Sequence, residues 1–268
     1  MIKSLNDLEG KLGYTVEELK DVLQNLPKNY YQFTKKTVKP DGSIKSRPIS
    51  PSKNTLKDVQ NRLVSRLFSK FDFPIHVQGS VRGKSYVTNA QAHLDNMYKF
   101  QTDIVGFFSF VTNKAVYDSL IVNNFSQKVA NLITKLTTLK GHLPQGTPTS
   151  SYIANIVGLG FDKEILKICN ENNIIYTRYV DDLTFSSKND FQDLTFLFIQ
   201  IINRYGFRIS HRKTVYKKGG LEITGCWTVD DVLKPTKKQL QKYNDPNTPK
   251  TSKIGIQHHF KRLKEYSK

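Results

Sequence analysis

Two adjacent carboxylates, Asp181 and Asp182, stand in Tyr179-Val180-Asp181-Asp182 between two short β-prone runs, Ile174-Ile175-Tyr176-Thr177-Arg178 and Leu183-Thr184-Phe185-Ser186. The pattern predicts a β-hairpin with both acids at its tip. Like charges so close disfavour joint ionisation unless a cation lies between them, and a divalent metal site is the simplest reason to keep them. Oxygen-only ligands suit magnesium, which takes one or two carboxylates and completes its shell with water and substrate phosphates. Phosphoryl transfer is the chemistry indicated. A third carboxylate, Asp103, lies in the otherwise apolar Phe100-Gln101-Thr102-Asp103-Ile104-Val105-Gly106-Phe107-Phe108, where an unpaired buried charge is costly and again calls for a cation. Together Asp103, Asp181 and Asp182 can hold two magnesium ions about 4 Å apart, one activating an attacking hydroxyl and the other stabilising a departing pyrophosphate.

Val229-Asp230-Asp231 repeats the same tripeptide and acts as an internal control. No apolar run follows it, Leu233-Lys234-Pro235 is expected to break any strand, and this copy is read as a solvated turn.

The elements that must position the acids are legible from spacing. Thr15-Val16-Glu17-Glu18 is a capping box ahead of Val16, Leu19, Leu23 and Leu26 at helix spacing, ended by Pro27. Tyr30 to Val38, a Pro40-Asp41-Gly42 turn and Ile44 to Ile49 form a strongly basic hairpin. Ser52 is expected to cap a helix bearing Leu56, Val59, Leu63 and Leu67, and a loop from Gly79 to Ser85 follows. Asn89 then opens a short helix, Phe100 to Phe107 reads as a strand, and Thr112 to Phe125 and Gln127 to Leu139 as helices. After a Gly141 to Ser151 loop, a longer helix runs through Ile153, Ile156, Val157 and Phe161 towards Cys169. The Asp-Asp hairpin, an Asp190 to Tyr205 helix, a strand pair turning at Gly219-Gly220, a linker at Asn244 to Pro249 and a basic helix complete the series. The order predicts an α+β fold, an antiparallel sheet backed by helices that brings Asp103 beside the hairpin tip.

The 268 residues are 38% hydrophobic, enough for a sizeable core in one large domain or two ordinary ones. Forty-one Lys and Arg against 23 Asp and Glu give a net charge of +18, which favours a polyanionic partner, nucleic acid first. Two cysteines, Cys169 and Cys226, without metal-ligand spacing argue against a disulfide framework or a zinc cluster and suit a reducing cytoplasm. There is no signal-peptide core and no apolar stretch of membrane-spanning length, so no membrane partner is expected.

Asp103 in its aromatic-ended strand, Leu143-Pro144-Gln145-Gly146-Thr147-Pro148-Thr149-Ser150 and Tyr179-Val180-Asp181-Asp182 resemble, in the correct order, the A, B and C motifs of reverse transcriptases. Asn89-Ala90-Gln91-Ala92-His93 resembles the NAxxH signature, and Ile223-Thr224-Gly225 the VTG-type signature, of bacterial retron reverse transcriptases. The resemblance covers residues 30 to 228. It implies a right-hand polymerase fold: N-terminal helices and fingers over 1–88, a palm with inserted fingers helices over 89–228, and a short or incomplete helical thumb over 229–268. It further implies RNA-directed DNA synthesis on a cognate structured non-coding RNA that serves as template and primer. An RNA–DNA product, deoxynucleotide substrates, and an effector or toxin partner in anti-phage defence are implied as well. Another defence or intron-derived reverse transcriptase, or a catalytically silent RNA-binding scaffold, are the competing readings.

Carried over residue by residue, the resemblance makes Asp103, Asp181, Asp182 and the Ile104 carbonyl the ligands of two Mg²⁺ ions. Lys45 and Arg47 would grip the triphosphate, a task suited to a guanidinium fork, with a solvated edge strand as the alternative for Lys45. Gln145 and Gly146 would shape the nucleotide pocket, and Lys213 matches the motif D lysine that gives a proton to pyrophosphate. Phe108 matches the steric gate against a ribose 2′-hydroxyl, yet strict strand alternation puts Phe107 on the Asp103 face, so the match requires a bend after Gly106. RNA or primer contacts are implied for Arg82, Lys84, Asn89, His93, Gly225 and Trp227, the last either stacking on a base or anchoring the core. Gly79 to Ser85 is one residue short of a phosphate-binding loop and is read as a basic turn near the template.

Overall fold

A computed structural model describes residues 2–38 and 42–267; Pro40 and Asp41 of the expected turn lie outside the described residues. In chain order come α1 (Leu5–Leu12), α2 (Val16–Gln24), β1 (Phe33–Val38), β2 (Ile44–Ile49), α3 (Asn54–Arg66), α4 (Tyr86–Gln91) and β3 (Tyr98–Asp103). They are followed by α5 (Phe107–Phe110), α6 (Asn113–Val122), α7 (Gln127–Thr137), α8 (Ser150–Glu171), β4 (Ile175–Tyr179), β5 (Asp182–Ser187) and α9 (Thr195–Arg204). Last are β6 (Val215–Lys218), β7 (Leu221–Ile223), β8 (Cys226–Val229), β9 (Val232–Lys234), α10 (Lys237–Asn244) and α11 (Lys250–Tyr266). The chain divides into two compact units, Met1–Asp72 with Gly106–Gly160, and Phe73–Val105 with Phe161–Lys268.

In the first unit the Thr15/Glu18 capping box forms as expected, and Ser4 with Asp7 makes another ahead of α1, a helix the spacing had not disclosed. Ser52 does not cap α3, whose N-cap is Lys53. Its hydroxyl instead donates to Gln60 Oε1 at 2.7 Å, while Gln60 Nε2 donates to the Leu136 carbonyl at 2.8 Å. This buried amide needs both partners, so the serine serves the core rather than the helix end. β1 and β2 pair in register, Lys35 opposite Arg47 and Thr37 opposite Lys45, as a hairpin exposed on both faces.

The second unit contains a four-stranded antiparallel sheet in the order β4-β5-β3-β6. Phe100, Phe185 and Tyr176 lie across neighbouring strands, and Phe198 of α9 stacks on Phe185 with ring centroids 4.4 Å apart, giving the sheet its apolar backing. A second sheet, β7-β8-β9, shares a core with α4 and α11 through Val87, Ala90, Leu94, Ile223, Cys226, Leu233 and Leu263. Two expectations are corrected here. The strands flanking Gly219-Gly220 do not pair with each other, since β6 joins β3 and β7 joins β8. Lys234 continues a strand after Asp230-Asp231, because Leu233 is buried in the α4 and α11 core. The exposed aspartates themselves form the expected turn. Cys169 and Cys226 are buried free thiols, each pushed up to about 12 by burial. Among the described residues no helix is long and apolar enough to cross a membrane.

Candidate active site

Strand register creates the site. β3 ends at Asp103, whose cross-strand partner is Asp182, the first residue of β5, and Asp181 occupies the turn that joins β4 to β5. Like charges directly opposite one another destabilise a sheet, so the pairing needs compensation. One oxygen from each of Asp103, Asp181 and Asp182 lies within 4.8 Å of the others, with Asp103 buried and the other two half-buried. The Ile104 N–H donates to the Asp181 carbonyl at 2.9 Å and the Ser210 N–H to the Asp103 carbonyl at 2.7 Å, tying the three acids to one backbone frame.

The Lys213 ammonium donates to Asp103 Oδ1 and pairs with it. Burial opposes the charge on Lys213, but the hydrogen bond to Asp103 and the negative charge of Asp103, Asp182 and Asp181 outweigh it and raise its pKa. Asp182 is pushed up to about 7, first by burial, then by the charges of Asp181 and Asp103, against a smaller opposing pull from Lys213. One lysine thus leaves the cluster short of positive charge. An all-oxygen donor set with surplus negative charge fits a hard divalent cation.

The other expected residues separate into groups. The chain bends at Gly106, φ +59°, and enters α5, so the bend required for Phe108 is present. β3 stops at Asp103 rather than Phe107, Phe107 is buried, and Phe108 is partly exposed. Gln145 and Gly146 lie in the loop before α8. The Gln145 carbonyl accepts from the Ser50 N–H at 2.7 Å, and Gly146 combines φ +98° with an approach that would put a Cβ 2.7 Å from Ile49 Cγ2. Only glycine fits there. Lys45 and Arg47 project from exposed β2; these four and Phe108 belong to the first unit, the acids and Lys213 to the second. Arg82 is exposed and Lys84 half-buried on the turn before α4.

The expectation that Asn89 and His93 contact RNA is corrected by their complete burial. Asn89 lies inside α4, which Ser85 caps, and its amide donates to Thr224 Oγ1 at 3.4 Å; Thr224 in turn donates to the Tyr86 carbonyl at 2.8 Å. The NAxxH asparagine and the VTG-type threonine are therefore two halves of one device that seats α4 on the β7–β8 turn, where Gly225 supplies φ +82°. His93 bonds Ser186 Oγ and Thr177 Oγ1, each at 2.7 Å, beneath the hairpin, and burial lowers its pKa to about 3. Trp227 is half-buried against Gly220, with the Lys217 ammonium 5.3 Å from its ring centroid. It borders a cleft of about 690 Å³ lined also by Lys234, Lys237 and Lys238. Arg178, Asp162, His76 and Gly79, which crowd behind the hairpin tip, were missed in the sequence reading. The available signal was Arg178 itself, a charge inside an apolar strand run.

A four-stranded antiparallel sheet carrying three carboxylates at one end, in a mixed helix and strand chain, is the palm of a right-hand polymerase. Residues 33–249 match the family described as reverse transcriptase (RNA-dependent DNA polymerase), and the chain belongs to that family. Among curated proteins it is 28% identical over 250 residues to the retron Se72 reverse transcriptase of Salmonella heidelberg, covering 88% of this chain and 65% of that protein. It is 29% identical over 249 residues to the retron Mx65 reverse transcriptase of Myxococcus xanthus, covering 85% and 58%. The chain thus spans rather less than two thirds of these relatives' length, and the resemblance to retron-type reverse transcriptases is borne out. A telomerase structure from Candida albicans, solved with a fragment of telomeric RNA, aligns with TM-score 0.51 at 11% identity, over 82% of this chain and 50% of that one. At that identity the likeness concerns the fold, and it agrees with the expected α+β right-hand arrangement.

Proposed function

We propose that this chain is an RNA-directed DNA polymerase that copies part of a cognate structured non-coding RNA, serving as template and primer, into single-stranded DNA. The observation that carries the reading is the cross-strand meeting of Asp103 and Asp182 beside Asp181. Asp103, Asp181, Asp182 and the Ile104 carbonyl would hold two Mg²⁺ ions, which supply hydroxyl activation and charge neutralisation at the leaving phosphate. The chain's own residues do the positioning. Lys45 and Arg47 grip the triphosphate, Gln145 and Gly146 shape the nucleotide pocket, and Phe108 excludes a 2′-hydroxyl. Lys213, kept protonated by its acidic neighbours, has a proton to give to departing pyrophosphate.

In this reading residues 1–88 are N-terminal helices and fingers, 89–228 the palm with inserted fingers helices, and 229–268 belong to the thumb. Arg82, Lys84, Gly225 and Trp227 face the RNA and primer. The net charge of +18 and the lysine-lined cleft beside Trp227 support a polyanionic partner. The proposal extends to a cytoplasmic role with an effector protein in anti-phage defence; the relatives' names support the retron class alone. The test is primer extension by the purified chain on a primed RNA template with Mg²⁺ and deoxynucleotides, together with sequencing of co-purifying nucleic acid. DNA synthesis and an RNA–DNA hybrid are expected; no extension, with RNA alone co-purifying, would leave an RNA-binding scaffold.

A further inference from the structure

The turn that carries the acids is strained. Val180 sits at φ +60°, a left-handed conformation that a β-branched residue adopts only when its surroundings hold it there. Three contacts do so. Arg178 Nη1 donates to the Val180 carbonyl at 3.2 Å, and the Ile104 N–H donates to the next carbonyl, that of Asp181. Behind the turn lies Gly79, where an added Cβ would fall 2.7 Å from Val180 Cγ2 and 2.8 Å from its backbone nitrogen.

Arg178 is itself fixed. Fully buried, it donates to Asp162 of α8 through Nε, at 3.0 Å to both carboxylate oxygens, and through Nη2 at 2.7 Å. Asp162 also accepts from the Tyr176 hydroxyl at 2.7 Å and meets His76 Nε2 at 3.1 Å. The segment bearing His76 and Gly79 is sewn to the hairpin by backbone bonds, Arg178 N–H to the His76 carbonyl and Gln78 N–H to the Arg178 carbonyl. The buried ion pair also donates to the carbonyl of a strained turn, a task that a hydrophobic pair of equal volume, often as good for stability, could not perform.

We propose that Arg178, braced by Asp162, and Gly79 are positioning residues that hold the Val180 turn so that Asp181 and Asp182 face Asp103. The proposal rests on the reading of those acids as a metal site. Removing the brace lets the turn relax, and the acids then bind a divalent ion more weakly even in a folded chain.

Mn²⁺ binding followed by electron paramagnetic resonance, with circular dichroism as the folding check, tests this without recourse to activity. Gly79→Ala and the charge-neutral double variant Asp162→Asn/Arg178→Gln should each raise the Mn²⁺ Kd by about 10- to 100-fold. Arg178→Lys, which keeps the charge facing Asp162 but loses the fork that reaches Val180, should fall between wild type and the double variant. Folded variants that bind Mn²⁺ within about twofold of wild type overturn the positioning role. A wild-type chain that binds no Mn²⁺ overturns the metal site itself, and the proposal with it. If the double variant does not fold, Gly79→Ala, which alters no charge, decides alone.

Discussion

Replacing Asp181 and Asp182 together by asparagine is expected to lower primer extension by at least about a thousandfold, the loss of several kcal/mol of metal-borne transition-state stabilisation. Asparagine keeps the size and polarity of each side chain while removing its charge and exchanging one acceptor oxygen for an amide donor. The fold should therefore survive, and RNA affinity, which the basic surface supplies, should change little. The second Asp-Asp turn provides the matched control. Asp230 and Asp231 are exposed at the β8–β9 turn, and Asp230→Asn/Asp231→Asn should leave extension within about twofold of wild type, as surface changes generally do. Normal polymerisation by the Asp181/Asp182 variant would remove the catalytic assignment.

The same cluster makes metal-free stability depend on pH. Asp182 has a folded pKa near 7, above its ordinary 3.8. A raised pKa means that the folded state binds the proton more tightly than the unfolded one, so the contribution is complete below about pH 4 and is lost as pH rises through about 7. His93, lowered to about 3, works in the opposite sense, with stability present above its ordinary 6.5 and lost as pH falls. Comparing wild type with Asp182→Asn in a chelating buffer cancels the histidine. The asparagine variant should match wild type near pH 4 and exceed it by up to a few kcal/mol at pH 8, each unit of pKa shift being worth about 1.4 kcal/mol before solvent screening. Mg²⁺ should close the gap by stabilising wild type alone. Equal denaturation midpoints for the two chains at pH 8 in chelator would show that neither burial nor the neighbouring acids disfavour the charge on Asp182.

Much of this site is legible in the sequence because the relevant signals are local. A pair of acids between two β-prone runs specifies a hairpin tip, whereas strand alternation alone favoured Phe107 on the Asp103 face, and only the resemblance required the bend at Gly106 that buries Phe107 and leaves Phe108 partly exposed. Signals that depend on distant partners misled or stayed silent. Ser52 has the chemistry of a helix cap, but Gln60 buried nearby competes for its hydroxyl. His93 has the chemistry of a ligand or an RNA contact, but Ser186 and Thr177 from two strands close over both ring nitrogens. Gly219-Gly220 reads as a hairpin turn, but its strands find better partners in separate sheets. Gly79 looks like loop punctuation, and only the Val180 turn pressed against it explains why no side chain fits.

Crystals grown with Mn²⁺, with diffraction recorded at an anomalous wavelength for manganese, test the shared metal site most directly. Anomalous density is expected within the carboxylates of Asp103, Asp181 and Asp182, with none at Asp230-Asp231. A map with no density among those three side chains, or with Asp103 ligating nothing while manganese binds elsewhere, would contradict it.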